Sequence, residues 1–331
     1  GVDPMTRLLE YVAPSAFHNS AQRVDPPRCH PNTRVKIQQF MQYWALQYGQ
    51  DRKTWILWLN GAAGAGKSAI MQSIAEYLLL FHSTIVAVVS FFLSREDSTR
   101  NIIDGLVSTL AYQLIQQIPQ ISDDILTTIA RNPLIFNQSL EFQLQELIIQ
   151  PLLRQPNRSK RRCVAIIDGL DECFDRDRQV NLIKILGDIS RNRDIPVVFI
   201  LASRREPQIL SVFHTQNMVG FFEKVSLDKI KASDEIRQFL NEKFVEIKDT
   251  HPFRHLLPSD WPPLSVVSEL VNRASNQFIF ASVIMKYISY PRANPSHQLD
   301  IVLNLQLLDS SSEHPFFHLD SLYRHIFSLV P

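Results

Sequence analysis

The sequence lacks several features that would point to special classes of protein. Its 331 residues carry a net charge of +1, so no excess of one sign favours nucleic acid or an anionic membrane as a partner. Its longest apolar run, Ile85 to Leu93, is far too short to cross a bilayer. No secretory signal is visible, and no internal repeat is found. We therefore expect a cytoplasmic protein with no membrane and no nucleic-acid partner.

The sequence has only three cysteines, Cys29, Cys163 and Cys173, and they do not have the spacing of metal ligands. A low and odd number of cysteines favours a reducing compartment. Cys163 and Cys173 flank an apolar run, so we expect both to be core thiols rather than reactive ones.

Short apolar runs alternate with stretches of helical periodicity in the first two thirds of the chain. They lie at residues 54–60, 84–92, 163–167, 195–202 and 220–227. Runs without polar alternation are typical of strands buried on both faces of a sheet, and the intervening helices predict right-handed βαβ units and a parallel sheet. One of these helices is predicted to begin near Thr99. After residue 228 only helical patterns follow, which predicts a small all-helical domain.

The two ends of the chain have a different texture. The proline-rich residues 5–35 predict an irregular leader, and helical spacing then runs from Val35 to Leu46. Residues 1–4, which precede Met5, look like a cloning remnant. Apolar helical spacing at residues 319–330 predicts the beginning of a further domain, so the chain is expected to be a fragment of a longer protein.

One stretch matches the phosphate-binding pattern G-x-x-x-x-G-K-[ST] in full, and it lies between an apolar run and a helical pattern. Such a loop folds its backbone N–H groups around phosphates, and large side chains would obstruct that approach. The following helix directs the positive end of its dipole at the phosphates. Lys67 is expected to reach the β- and γ-phosphates, and the Ser68 hydroxyl to ligate Mg²⁺. The predicted nucleotide-binding residues of this loop are Gly61, Ala62, Ala63, Gly64, Ala65, Gly66, Lys67, Ser68 and Ala69.

The third apolar run ends in three acids, Asp168, Asp171 and Glu172. At the carboxyl edge of a parallel sheet, side chains face the ligand crevice. We expect Asp168 to hold Mg²⁺ and Glu172 to polarise an attacking water, with Asp171 a candidate for either task. A turn capped by local hydrogen bonds is the alternative, but three acids after a buried strand favour catalysis.

Arg204 follows the fourth apolar run. If that strand lies beside the acidic strand, Arg204 is close to the γ-phosphate and reports whether it is present. The alternative is a surface arginine that pairs with Glu206.

The order of these motifs resembles the NACHT NTPases of the STAND class of signalling ATPases, which are close to AAA+ proteins. The resemblance is best to the NACHT modules of fungal NLR-like proteins, and it extends over nearly the whole chain from about Leu8. The chain departs from the family pattern at Asn32 and Asn276, where Gly is usual, and at Arg205, where Pro is usual. Besides GAAGAGKS, the segments that carry the resemblance are CHPNTR at 29–34, SFFLSRED at 90–97, IIDGLDEC at 166–173, ASRREP at 202–207 and RASNQFIFAS at 273–282.

The resemblance implies an α/β fold of the AAA+-like P-loop NTPase type, with a three-layer parallel sheet followed by a small all-helical domain. The implied domains are a leader and helix at 5–50, a nucleotide-binding domain at 51–228, a helical domain at 229–315 and the start of a truncated winged-helix region at 316–331. An N-terminal effector domain and a C-terminal repeat sensor are expected outside this sequence.

The resemblance also implies a function: an intracellular switch of the kind found in innate-immunity receptors. Such a switch binds ATP or ADP with Mg²⁺, hydrolyses ATP slowly and forms a homo-oligomer in its ATP form. Arg34 is by resemblance a candidate for the nucleotide site or its edge, and a structural ion pair is an equally open interpretation.

Other classes of P-loop protein stay open as alternatives. An actively cycling AAA+-type ATPase is one, and a GTP-preferring NTPase is another. The sequence has no Asn/Thr-Lys-x-Asp motif of the guanine-specific kind, which favours adenine. A small-molecule kinase would need an arginine-rich lid, and none is visible after residue 120. Intact Lys67, Ser68, Asp168 and Glu172 argue against a scaffold with an inactive site.

Overall fold

The computed structural model describes residues 2–47, 52–155 and 161–304, together with residues 320, 323 and 324. The predicted winged-helix region at 316–331 therefore falls almost entirely outside the described residues. The chain forms two compact units. The first contains Gly1–Cys29, Arg34–Ala62 and Lys67–Leu227, and the second contains His30–Thr33, Ala63–Gly66 and Asp228–Pro331.

The first unit is built on a parallel sheet with strand order β2-β3-β4-β1-β5. Every residue of β1, β2 and β4 is buried, and so is all of β3 except Arg162. Burial on both faces explains why these strands show no polar alternation in the sequence. The predicted parallel sheet is thus confirmed. Its strands are β1 (Ile56–Asn60), β2 (Val86–Phe92), β3 (Arg162–Asp168), β4 (Val197–Ser203) and β5 (Phe222–Ser226).

Helices cover the sheet and give the first unit three layers. Helices α3 and α4 pack against β2, and α8 packs against β1. The helices of this unit are α1 (Pro4–Tyr11), α2 (Val35–Leu46), α3 (Lys67–His82), α4 (Leu106–Gln117), α5 (Ser122–Arg131), α6 (Leu140–Leu144), α7 (Gln150–Leu153), α8 (Arg176–Ser190) and α9 (Pro207–Phe213). A π-helical turn, Gln145–Ile149, joins α6 to α7.

Two local predictions are wrong. The leader is not wholly irregular, because α1 begins at Pro4, where proline fits the first helical position, and the Asp3 carboxylate caps the N–H of Thr6 at 2.9 Å. The helix expected from Thr99 begins at Leu106 instead. The Asp97 carboxylate accepts the N–H of Thr99 at 3.0 Å, and this local bond closes a turn where the helix was expected.

Two glutamines of α4 cover the outer edge of β2, which is a terminal strand of the sheet. Gln117 accepts the N–H of Val88 at 2.9 Å and donates to its carbonyl at 2.5 Å. Gln113 does the same for Ser90, at 3.0 and 2.8 Å. The side chains take the place of a neighbouring strand, so this edge offers no unpaired backbone groups at these two residues.

The second unit is helical, as predicted, with a core that includes an edge-to-face contact of Phe244 and Trp261 at 5.3 Å between ring centroids. Asn276, one of the departures from the family pattern, has a φ of 64°, and Asn32 has a φ of 63°. Both asparagines therefore adopt the left-handed conformation that glycine favours and asparagine tolerates. The helices are α10 (Ser233–Thr250), α11 (Leu264–Ala274), α12 (Phe278–Ile288) and α13 (Pro295–Asn304).

The remaining global expectations concern membranes and thiols. Across the described ranges, no helix is long and apolar enough to cross a membrane. Cys163 and Cys173 are free thiols and are buried as predicted.

Candidate functional site

The glycine-rich loop joins β1 to α3, which is the strand–loop–helix context that the motif requires. Gly64 and Gly66 have φ angles of 72° and 93°, a region that residues with a side chain rarely adopt. Helix α3 begins at Lys67, so its first N–H groups face the loop. Ala69 lies in the first turn of the same helix.

Lys67 folds back onto its own loop. Its Nζ donates to the carbonyl oxygens of Gly61 and Ala62, at 2.8 and 2.9 Å. The ammonium group is thus held over the loop by two neutral acceptors. Phosphate oxygens are stronger acceptors, because bonds between two charged groups are stronger than bonds to a carbonyl.

Asp168 is buried at the carboxyl end of β3, with 4% of its surface exposed. Its side chain hydrogen-bonds with that of Ser68. Its Oδ1 is buried and has no hydrogen-bond partner among the described residues. Burial raises the pKa of Asp168 to about 6 and Glu172 adds to the rise, while the bond to Ser68 and the charges of Lys67 and Arg23 oppose it.

This donor set fits magnesium. A carboxylate oxygen without a partner beside a serine hydroxyl offers two of the oxygen ligands that Mg²⁺ prefers, and phosphates and water supply the others. Within the described ranges, no group of three or more His, Cys, Asp or Glu could hold a metal ion by itself. A cation at Asp168 and Ser68 would therefore depend on a bound phosphate.

Glu172 lies four residues beyond Asp168 and is partly buried. Burial raises its pKa, the backbone N–H of Arg95 opposes this by donating to Oε2 at 3.3 Å, and the nearby charge of Asp171 raises it further. A carboxylate with a raised pKa is a better proton acceptor at neutral pH. The position and the pKa shift both suit the predicted role as a base.

Strand β4, which ends just before Arg204, pairs with the acidic strand β3. This is the arrangement in which Arg204 was expected to lie close to the γ-phosphate. The arginine does not pair with Glu206, which was the alternative. It pairs with Asp171 instead: Oδ1 accepts the backbone N–H of Arg204 at 2.9 Å, and Oδ2 forms an ion pair with its Nε at 3.2 Å. The structure thus brings the acidic turn and the end of β4 together.

Two arginines near these acids belong to no sequence motif that points to the site. The Arg23 guanidinium lies 3.8 Å from the centroid of the Phe92 ring, and burial lowers the pKa of Arg23 to about 10, with the Asp168 charge as the main opposing influence. Arg100 donates to the Phe92 carbonyl at 2.9 Å. Arg23 lies in the leader and carries no motif, so the sequence gives no indication of its position.

Arg34 is the predicted site residue that rests on the resemblance alone. It precedes α2, is buried and has a left-handed φ of 54°. Its place at the nucleotide stays a prediction.

A five-stranded parallel sheet in three layers, a glycine loop between β1 and α3, an acid at the end of β3 and a following helical unit define the fold of an AAA+-like P-loop NTPase. Within this class the chain belongs to the family described as Nephrocystin 3, N-terminal, whose sequence model matches residues 35–204. The match supports the resemblance at the level of a NACHT-like family. The narrower assignment to fungal NLR-like proteins stays a prediction.

No curated protein sequence matches the chain. Among solved structures, ORC2 of Aeropyrum pernix in ADPNP and ADP complexes is 11% identical at a TM-score of 0.47, covering 96% of this chain and 76% of its own. The Drosophila ORC bound to DNA is 13% identical at a TM-score of 0.47, and the match covers 91% of this chain and 68% of that one. PCH-2 of C. elegans is 11% identical at a TM-score of 0.44, and the match covers 94% of this chain and 74% of that one. At this level of similarity nothing about activity follows for the present chain.

Proposed function

We propose that the protein is a nucleotide-dependent switch that binds ATP or ADP with Mg²⁺ and hydrolyses ATP slowly. The observation that carries the proposal is Asp168: a buried carboxylate with an unpartnered oxygen, bonded to Ser68 of an intact phosphate loop. An ionisable group whose pKa burial shifts strongly, placed at the end of a sheet strand, is characteristic of a functional site.

Each residue has a task that its position supports. Lys67 would exchange its two loop carbonyls for phosphate oxygens. Ser68 and Asp168 would hold Mg²⁺, which neutralises charge on the transferring phosphate and its leaving group. Glu172 would accept a proton from the attacking water, and Arg204 would contact the γ-phosphate.

The way in which these groups are engaged supports slow hydrolysis. Lys67 is held by carbonyls and Glu172 by the N–H of Arg95. Two of the groups needed for chemistry must therefore change partners before the reaction. A site prepared for fast turnover would have its groups preorganised for the transition state.

Two further parts of the proposal come from the resemblance to NACHT switches: a homo-oligomer in the ATP form and signalling in an innate-immunity type of pathway. The preference for adenine comes from the missing guanine-specific motif, and the cytoplasmic location from the few cysteines and the lack of a secretory signal. An actively cycling AAA+-type ATPase is the alternative, and the same measurements separate the two.

The test measures nucleotide affinity, ATP turnover and oligomeric size together, with ADP and with a non-hydrolysable ATP analogue. We expect turnover well below about 1 per second, the lower end of ordinary enzymes, and a larger particle with the analogue than with ADP. Fast turnover without a change in size would favour the cycling enzyme. A wild-type protein that binds neither nucleotide would refute both.

Two variants assign the roles. Lys67→Ala should abolish nucleotide binding, because it removes the cation that meets the phosphates. Glu172→Gln should bind ATP normally but hydrolyse it more slowly, by about 100-fold or more, as expected when a general base is lost. Glu96→Gln is the matched control, because this glutamate is exposed in the loop after β2. Equal loss of binding in the Lys67 and Glu172 variants would contradict these roles.

A further inference from the structure

The acidic turn after β3 contains one carboxylate that is too enclosed for chemistry on a substrate. Asp171 lies in a 3-10 turn, Leu170–Glu172, and its side chain is only 5% exposed. Each of its two oxygens meets a donor of the same residue, the backbone N–H and the side-chain Nε of Arg204. An acid–base group needs access to water or substrate, and Asp171 has little of either.

We propose that Asp171 is a positioning residue that fixes the Arg204 guanidinium in the orientation that reads the γ-phosphate. Holding Nε and the backbone leaves the donors on the two Nη atoms of Arg204 for another acceptor. Across the described ranges those Nη atoms make no hydrogen bond, and the side chain is 49% exposed. An arginine fixed at one edge and open at the other is suited to bidentate recognition of a phosphate.

The same turn also orients the loop that meets the predicted base. The carbonyl oxygen of Asp171 accepts Nη2 of Arg95 at 3.0 Å, and the backbone N–H of Arg95 donates to Glu172 at 3.3 Å. Asp171 is thus linked to Arg204 through its side chain and to Arg95 through its backbone. A substitution of the side chain affects only the first of these links.

The inference rests on the proposed function, since it needs a γ-phosphate for Arg204 to contact. ATP and ADP differ at this site only by that phosphate. Asp171 should therefore control how well the protein distinguishes the two nucleotides, and it should matter little for ADP alone.

The test measures the affinities of the full chain for ADP and for a non-hydrolysable ATP analogue, both with Mg²⁺, in single and double variants. Asp171→Asn keeps an amide oxygen that can accept the Arg204 N–H but places NH₂ against Nε, so it breaks only the side-chain pairing. We expect it to weaken analogue binding by about 3- to 10-fold and to leave ADP binding unchanged, a modest effect because Arg204 is half-exposed. Arg204→Ala should weaken analogue binding by about 10- to 100-fold, as expected for a hydrogen bond between charged groups. In the Arg204→Ala background, Asp171→Asn should add nothing.

A further variant leaves the buried acid untouched. Arg204→Lys keeps the positive charge but has no Nε–H for Asp171 to hold, and it should lose most of the discrimination. Arg205→Ala, a change at the exposed neighbouring arginine, should lose none. If Asp171→Asn does not fold, Arg204→Lys is the deciding variant. An Arg204→Lys protein that distinguishes the analogue from ADP as well as wild type does would overturn the inference.

The outcomes separate the two proposals. A wild-type protein that binds neither nucleotide refutes the proposed function and this inference together. Only the inference is refuted if wild type distinguishes the analogue from ADP, and Asp171→Asn distinguishes them equally well but no longer hydrolyses ATP. Asp171 would then act in the chemical step. Additive losses in the double variant would likewise show that the carboxylate does not act through Arg204.

Discussion

Replacing Asp168 by Asn should stabilise the nucleotide-free, magnesium-free protein at neutral pH. Burial raises the pKa of Asp168 from 3.8 to about 6. At about 1.4 kcal/mol per pKa unit, this difference corresponds to about 3 kcal/mol against the charged form. Asn has a similar shape and no charge, so the variant should recover about 2–3 kcal/mol of unfolding free energy at pH 7.5.

The sign of the pH dependence follows from linkage. Between about pH 4 and pH 6 the folded protein keeps a proton on Asp168 that the unfolded chain has already lost. The contribution of this carboxyl to stability is therefore present below pH 4, falls as the pH rises towards 6, and is lost above it. The difference between variant and wild type should vanish below about pH 4.

The assay is urea unfolding of metal-stripped protein at several pH values, followed by tryptophan fluorescence. Trp44, Trp55 and Trp58 are all buried in the first unit, so their emission reports its unfolding. Asp194→Asn, a change at an exposed aspartate of the same unit, is the matched control and should show no such pattern. An Asp168→Asn protein that is no more stable than wild type at pH 7.5, or equally stabilised at pH 4, would refute the burial argument. Mg²⁺ with ATP should stabilise only the wild type.

Two further substitutions test contacts that hold the first unit together. Gln117→Leu, alone or with Gln113→Leu, should lower the unfolding free energy by about 1–3 kcal/mol and promote self-association through β2. Urea titration measures the first effect and size-exclusion chromatography the second. Gln116→Ala, a change at an exposed glutamine of the same helix, is the control and should show neither effect. Arg52→Ala should lower the unfolding free energy by about 2–3 kcal/mol in the same titration, because the Arg52 guanidinium satisfies backbone carbonyls at the end of α2. Lys53→Ala is the control, and a Lys53→Ala protein that unfolds at the same urea concentration as Arg52→Ala would contradict this.

Much of the fold could be predicted from the sequence because its determinants are local. Strands buried on both faces require continuous apolar runs, and all five runs become strands. The phosphate loop depends on glycines at positions with positive φ, which a pattern of eight residues can specify. Two of the three departures from the family pattern are explained by the structure, because Asn32 and Asn276 adopt the left-handed conformation that glycine favours.

What could not be predicted depends on contacts between distant parts of the chain. The partner of Arg204 was open between a phosphate and Glu206, and only the pairing of β3 with β4 brings it to Asp171. Arg23 reaches the Phe92 ring from a leader that had no recognisable motif. The false helix start at Thr99 has a different cause. A short polar side chain, Asp97, competed successfully for the backbone over a stretch whose apolar spacing is helical.

The two cationic side chains of the proposed switch, Lys67 and Arg204, differ in which phosphate of the nucleotide they contact. Lys67 is held by the carbonyls of Gly61 and Ala62, and a β-phosphate competes for it whether the nucleotide is ADP or ATP. Arg204 is held by the carboxylate of Asp171, and only a γ-phosphate adds an acceptor for its remaining donors. Lys67 should therefore determine affinity for both nucleotides, and the pair of Arg204 and Asp171 should determine the difference between them. A switch needs such a difference, because a ligand can shift an equilibrium only by its unequal affinity for the two states.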